Sequence, residues 1–498
     1  MANGSACLTL PPCLPGQEPD LDRAFEGVGA DVFARSSRLC GQDIRLLAPV
    51  VEEEPAARRW RAILEALGVA HDEPACASLT DHQHVTKALF FKLHDQGDIC
   101  EAAGGVGFCP RCGVASAGGS CPGCGGQVTR PAGGAYCLCA SRRRQAIAEQ
   151  LGARPDFIWP MEDQRAVAKA VMDGAIADLC VSSAACGGQI PLPVDPSQRI
   201  GASFETLAAY LTSNGYLVEP QAFERCWPPR LQVVPRWTLR AHALAWPAML
   251  IALGLPLPGR LVARGSLEVE GAPLSGSDPA ALAARLGSDP IRLALLRSAD
   301  YTAGGRLRFA ELIELAGPPL DTLWLLAETV LATILERRDG RVPRPGPFAP
   351  GETELAAEAG GLFEATGAAV ASFDFRGALD RLWDTIDKAL GYARQAGVRP
   401  DHPAAASEPR LDTSLYILAE TLRLIAHSMQ PFLPGAAAAI LDSFDTATED
   451  RAPSLLARWG VTPPGTRVRR VATVFPRRKG VRSLLCSAPA RPWTAKGS

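Results

Sequence analysis

The 498-residue chain carries almost no net charge, −2 at pH 7, so its overall balance gives no attraction to nucleic acid or to an anionic membrane, although balanced totals can hide a local patch. Lysine is scarce: six of the 51 basic residues are lysine, a bias that points to a GC-rich coding sequence rather than to a function. There is no long apolar run. The most apolar segment, Ala243 to Leu257, is too short to span a bilayer and contains Pro247 and Pro256, so it is expected to be a buried helix. The start, Met1-Ala2-Asn3-Gly4-Ser5, lacks the basic region and apolar stretch of a signal peptide. The fifteen cysteines lack framework spacing except for one tight cluster of four, which favours a reducing cytoplasm over secretion. No internal repeat or low-complexity tract is present. What remains is an ordinary globular composition, 47% hydrophobic and 21% charged, with length for two to four domains.

The first hundred residues predict a β-α-β unit of a doubly wound parallel sheet: strands at Ala6–Leu10 and Asp43–Pro49, with a helix between about Asp20 and Leu39. Residues 101–140 are rich in glycine and cysteine and read as an inserted module. Strand and helix then alternate again from Phe157 to about Arg264, with a strand over Leu231–Val234 and a helix over Thr238–Leu253. After Ala310 the apolar residues take helical spacing in three sets: Leu323, Leu326, Val330, Ile334; Phe375, Leu379, Leu382, Ile386, Leu390; and Leu415, Leu418, Leu422, Ile425. Four prolines and two glycines between Arg338 and Pro350 predict a long loop. The expected domains are 1–100 and 156–265 as halves of one α/β sheet domain, 101–155 as an insert, 266–310 as a connecting region, and 311–498 as a helical bundle with a basic tail.

Cys109-Pro110-Arg111-Cys112 and Cys121-Pro122-Gly123-Cys124, each followed by glycine (Gly113, Gly125), have the form of two zinc knuckles. The two-residue spacer lets both sulfurs face one ion, and glycine lets backbone amides turn toward the thiolates. Four thiolates close a tetrahedral zinc site, which is structural and leaves no position for substrate. Cys137 and Cys139 nearby are expected to be packing residues. A redox reading is poor, because there are two pairs and neither lies at a strand-to-helix junction.

Many further segments, in order, resemble methionyl-tRNA synthetases. They are Gly134–Leu138, Gly174–Ser182, Phe204–Tyr216, Val233–His242 with Ala245–Leu250, Phe373–Leu379 and Met429–Pro434. The resemblance implies a class I synthetase: a Rossmann-like catalytic domain, an inserted zinc knuckle and a helical anticodon-binding-like domain. It also implies ATP as nucleotide, an amino-acid-like small molecule and tRNA as partners, and no membrane.

The family's motifs are altered. Its Pro-Pro-His-Ile-Gly-His signature, which binds ATP at a helix N-terminus, is matched to Pro11-Pro12-Cys13-Leu14-Pro15-Gly16-Gln17, with both histidines gone. Its Lys-Met-Ser-Lys-Ser loop, which stabilises the pyrophosphate leaving group, is matched to Pro273-Leu274-Ser275-Gly276-Ser277, with both lysines gone. Its Thr-Asp-Glu-His-Gly segment is matched to Val50–Glu54. The aromatic that closes over the methionine side chain is replaced by Ser203, while Tyr210 and His242 persist and Trp237 stands beside them. The anticodon-reading Asn, Arg and Trp are matched near Trp324, Glu328 and Arg399. The resemblance thus nominates Leu10, Cys13, Ser203, Tyr210, Trp237 and His242 for a substrate pocket, and Gly16, Gln17, Ser275, Gly276 and Ser277 for nucleotide loops. It assigns no catalytic residue.

Positive charge must meet the developing pyrophosphate, and losing one such donor commonly costs about 10²–10³ in rate. The expectation is therefore a repurposed synthetase acting on an amino-acid-related substrate, with a separate partner such as a cupin enzyme. Two alternatives stand beside it: a non-catalytic RNA- or protein-binding protein, and a divergent methionine–tRNA ligase. The arginines between Arg467 and Arg482 offer RNA phosphates a contact, and equally fit a solvated tail.

Overall fold

The computed structural model describes residues 6–13, 18–49, 55–74, 78–102, 106–116, 118–121, 124–131, 134–183, 190–271, 278–399, 408–445 and 457–472. Five parallel strands form the central sheet in the order Ile44–Leu47, Ala6–Thr9, Leu231–Pro235, Leu261–Arg264, Ile158–Trp159. The two central strands, Leu231–Pro235 and Leu261–Arg264, are buried at every position, as expected of a sheet covered on both faces. The first strand and Ile44–Leu47 pair in parallel register, Ala6 with Ile44 through Thr9 with Leu47. Helix Leu21–Leu39 joins them, and Asp20 caps its start. This is the β-α-β unit read from the sequence.

The helix passes close under the connecting region. A Cβ on Gly29 would lie 2.1 Å from the ring of Tyr301, so only glycine fits there. The Tyr301 hydroxyl donates to the Glu26 carbonyl at 2.9 Å.

A second, antiparallel five-stranded sheet holds Ile99–Glu101, Ala135–Leu138, Leu179–Ser183, Asp195–Ile200 and Pro191–Leu192 in that order. The range 156–265 is therefore shared between the two sheets. Ile158–Trp159 closes the parallel one, and the chain then returns to the antiparallel one before Leu231. Cys139 is bonded to Cys100, which corrects its reading as a packing residue; Cys137 is buried in a small core cluster.

The bundle contains Leu312–Arg337, Pro350–Ala371, Phe375–Gln395, Glu408–Met429 and Pro434–Leu441, with 338–349 as the long connection. Helix Pro350–Ala371 carried no clear apolar period in the sequence, being built largely of alanine, glycine and glutamate. The segment Phe309–Arg337 is long and apolar enough to cross a membrane, but half of its most apolar window is buried and it packs within the bundle. Arg292 locks the bundle to the α/β domain. Wholly buried, it pairs with Asp31 at 2.7 Å and donates to the carbonyls of Leu67, Pro431 and Phe432. The architecture matches the expectation from the sequence: a Rossmann-like sheet, an inserted four-cysteine knuckle and a helical bundle.

Candidate functional site

The first strand leads by helix Leu21–Leu39 to a neighbour on one side, and the later strands add on the other. The order therefore reverses between Ala6–Thr9 and Leu231–Pro235, the place where open α/β sheets bind ligands beyond their strand ends. A cavity of about 510 Å³ lies there, among Cys13, Asp22, Arg111, Ser203, Trp237 and Arg264. Its size suits a ligand with the bulk of an aminoacyl nucleotide.

The helix at this cleft begins at Leu21. The residues presented at its N-terminus are Pro19-Asp20-Leu21-Asp22-Arg23, not the earlier segment matched to the family signature. Gly16 and Gln17 lie outside the described residues, as do Ser275, Gly276, Ser277 and the segment Val50–Glu54. The helix terminus is filled by the chain's own carboxylates. Asp20 accepts from the Arg23 amide at 3.0 Å. Asp22 accepts from both terminal nitrogens of Arg264, at 2.5 and 3.0 Å, and from the Leu267 amide at 2.6 Å. Glu26, fully buried, takes Arg264 Nε at 3.3 Å and Arg23 Nη1 at 2.7 Å. Burial alone would depress the Arg264 pKa, but Glu26 and Asp22 outweigh it and hold the guanidinium charged. The pairing of Arg264 was not legible in the sequence, because it meets its partners from more than two hundred residues away.

The nominated pocket residues separate. Cys13, Ser203 and Trp237 line the cavity. His242 lines a smaller branch of about 70 Å³, together with Ser203, Trp237 and Arg111. Leu10 and Tyr210 are fully buried and line neither space. Tyr210 instead supports His242: its hydroxyl meets Nε2 at 3.2 Å, while Nδ1 meets the Thr238 carbonyl at 3.1 Å. Burial lowers the His242 pKa to about 4 and pushes the Tyr210 phenol well up. Both groups are thus neutral near pH 7. Nδ1–H donates to Thr238, which leaves Nε2 to accept from the tyrosine. Burial also raises the Cys13 thiol, so it presents no thiolate nucleophile.

The thiols of Cys109, Cys112, Cys121 and Cys124 lie within 4.8 Å of one another. Gly113 and Gly125 adopt positive φ, +70° and +71°, and their amides donate to the carbonyls of Cys109 and Cys121. Four converging thiols on two such turns fit a zinc ion held as a closed structural site. Between the first two ligands, Arg111 reaches out and stacks over Trp237, 4.2 Å from the ring centre. The sequence offered Arg111 only as a spacer residue; nothing local marked it as a wall of the cleft.

Near the anticodon-reading positions, the buried Trp324 and the exposed Glu328 lie on helix Leu312–Arg337, and a cavity of about 490 Å³ passes beside Glu328 and Arg470. Arg467, Arg469 and Arg470 are described. Arg477, Arg478 and Arg482 lie outside the described residues.

A family model described as class I tRNA synthetases of the methionyl type matches residues 136–315. The methionine–tRNA ligase of Mycobacterium bovis is 29% identical over 93% of this chain and 96% of its own length. That of Caldanaerobacter subterraneus is 28% identical over 94% of this chain and 78% of its own. A crystal structure of the Mycobacterium tuberculosis methionyl-tRNA synthetase bound by methionyl-adenylate superposes with a TM-score of 0.82. It is 27% identical, covering 95% of this chain and all of that one. With the sheet, the knuckle and the bundle in the family's order, the chain is similar to the class I methionyl-tRNA synthetases along nearly its whole length.

Proposed function

We propose that this chain is an ATP-dependent amino-acid ligase working on the plan of methionine–tRNA ligase: an amino acid and ATP give an aminoacyl adenylate and pyrophosphate, and the aminoacyl group then passes to tRNA. One observation carries the reading: a cavity of about 510 Å³ at the sheet's switch point, large enough for an aminoacyl adenylate. Likeness to methionine–tRNA ligases along nearly the whole chain supports it and lends nothing to a cupin partner. The amino-acid carboxylate would attack the α-phosphorus of ATP, and pyrophosphate would leave with the bond's electron pair. The cations available to meet that charge among the described cleft residues are arginines, Arg23, Arg111 and Arg264. When bound, zinc would hold the knuckle and its Arg111 in place.

A second reading has its own observation. Arg264 and Arg23 are already paired with Asp22 and Glu26, and Asp20 caps the helix terminus that an anion would otherwise occupy. A cleft neutralised in this way favours a protein that binds an amino-acid-like ligand or RNA without adenylation. Amino-acid-dependent exchange of labelled pyrophosphate into ATP, run with zinc-loaded protein over the standard amino acids, separates the two. Exchange with one amino acid, followed by charging of tRNA, is expected. No exchange with any of them would sink the ligase reading.

A further inference from the structure

The small branch of the cleft differs in chemistry from a site for a thioether side chain. Its polar wall is formed by two guanidinium groups, Arg23 and Arg111, by the hydroxyl-bearing residues Ser203, Thr206 and Thr238, and by His242, opposite an apolar wall that includes Pro11, Leu207 and Trp237. Arg23, Arg111, Ser203 and Trp237 line both the branch and the main cavity, so the two spaces are continuous. At about 70 Å³ the branch holds a group of a few heavy atoms.

The donors are not equivalent. Arg23 is committed to Glu26, to the Pro11 carbonyl and to the face of Trp60. The contact described for Arg111 is the face of Trp237, a cation–π contact that brings no oxygen acceptor to its N–H donors. Among the described residues no Asp or Glu lines the branch. Cys112 does, and as a zinc thiolate it would bring negative charge of its own, so the argument rests on donor geometry rather than on net charge. Arginine has only donors, and a thioether sulfur is a weak acceptor. Arg111 is exposed in the free chain, so a ligand that covers it displaces water from its donors; a group with oxygen acceptors replaces those hydrogen bonds, whereas a thioether leaves them unmet.

We propose that Arg111, carried into the cleft by the knuckle and held over the ring of Trp237, selects an amino acid whose side chain ends in a carboxyl or carboxamide oxygen over methionine. The inference rests on the amino-acid-binding reading above and names the substrate class of that site. It makes Arg111 a specificity-determining residue that the sequence pattern shows only as a knuckle spacer.

The test is calorimetric binding of L-glutamate, L-aspartate, L-glutamine and L-methionine to the zinc-loaded full chain, without ATP. At least one of the first three should bind roughly tenfold or more tighter than methionine. The order among them then tells carboxylate from carboxamide. Arg111→Met should abolish the preference while keeping zinc content and melting temperature, and Arg111→Lys should retain part of it. Methionine binding as tightly as the oxygen-bearing side chains would overturn the proposal, with no variant needed. So would an undiminished preference in Arg111→Met. Pyrophosphate exchange reports separately. Selective binding without exchange defeats only the ligase reading, whereas exchange led by methionine defeats only the specificity inference.

Discussion

Two ends of the same cleft treat ions in opposite ways. At the knuckle, four thiols converge on a common centre and fit a metal. At the N-terminus of helix Leu21–Leu39, a ready-made anion site is filled by Asp20, and the arginine facing it is sealed between the carboxylates of Asp22 and Glu26. The first arrangement invites an outside ion to complete it, and the second is complete within the chain. A whole-chain resemblance therefore does not carry a site with it. One half of the cleft keeps the family's pattern, while the other satisfies its charges by internal pairing.

The comparison can be broken at four points. The largest effect is expected at the knuckle. Replacing one ligand, Cys112→Ser, should lower zinc from about one ion per chain to a small fraction, because binding and folding of such sites are one process. Metal analysis checks the loss, and hydrogen exchange over 99–200 should show the antiparallel sheet loosening. Full protection without metal would mean that zinc does not hold this module.

At the opposite end, Arg264→Met leaves Asp22 and Glu26 without their buried cation and should cost about 3–5 kcal/mol in urea denaturation. Adding Asp22→Asn should recover part of that loss. Strict additivity of the two substitutions would show that they do not form one unit.

The third effect is a pH dependence set by His242. Its folded pKa, about 4, lies below the ordinary 6.5, so folding favours the neutral ring. The stabilisation is present above pH 6.5, falls as pH drops through the window from 6.5 to 4, and is gone below it. The shift corresponds to about 3 kcal/mol. His82 and His427 are lowered by burial in the same way, so His242→Gln should flatten only part of the slope of stability against pH. An unchanged slope in that variant would place the titration elsewhere.

The smallest effect belongs to the helix cap: Asp20→Ala should cost about 1 kcal/mol, and Asp20→Ser close to nothing. If the alanine variant also gained affinity for ATP, the carboxylate would be identified as the group that keeps an anion out.

Elements governed by short-range rules were legible. The helix from Asp20 to Leu39 and the strand from Leu231 were read to within a residue or two, because capping chemistry and apolar period act locally. The bundle helices with leucine and isoleucine at helical spacing were equally clear, whereas Pro350–Ala371 was missed, since alanine and glycine give little contrast between faces. The signature alignment slipped for a related reason. Pro11-Pro12 resembles the motif in letters, but the helix that must carry it starts at Leu21.

Composition, the paired Cys-x-x-Cys spacing and the ordered family segments pointed to three things without a structure: an α/β domain, a four-thiol module that fits zinc and a helical bundle. Tertiary structure alone decided that Arg264 is spent on Asp22 and Glu26, that Tyr210 serves His242 rather than the cleft, and that Arg111 reaches Trp237. The reason is range. Caps, turns and metal spacers are set by residues a few positions apart. Charge pairing and cavity walls depend on groups brought together from distant segments, where one arginine can turn an anion site into a closed ion pair.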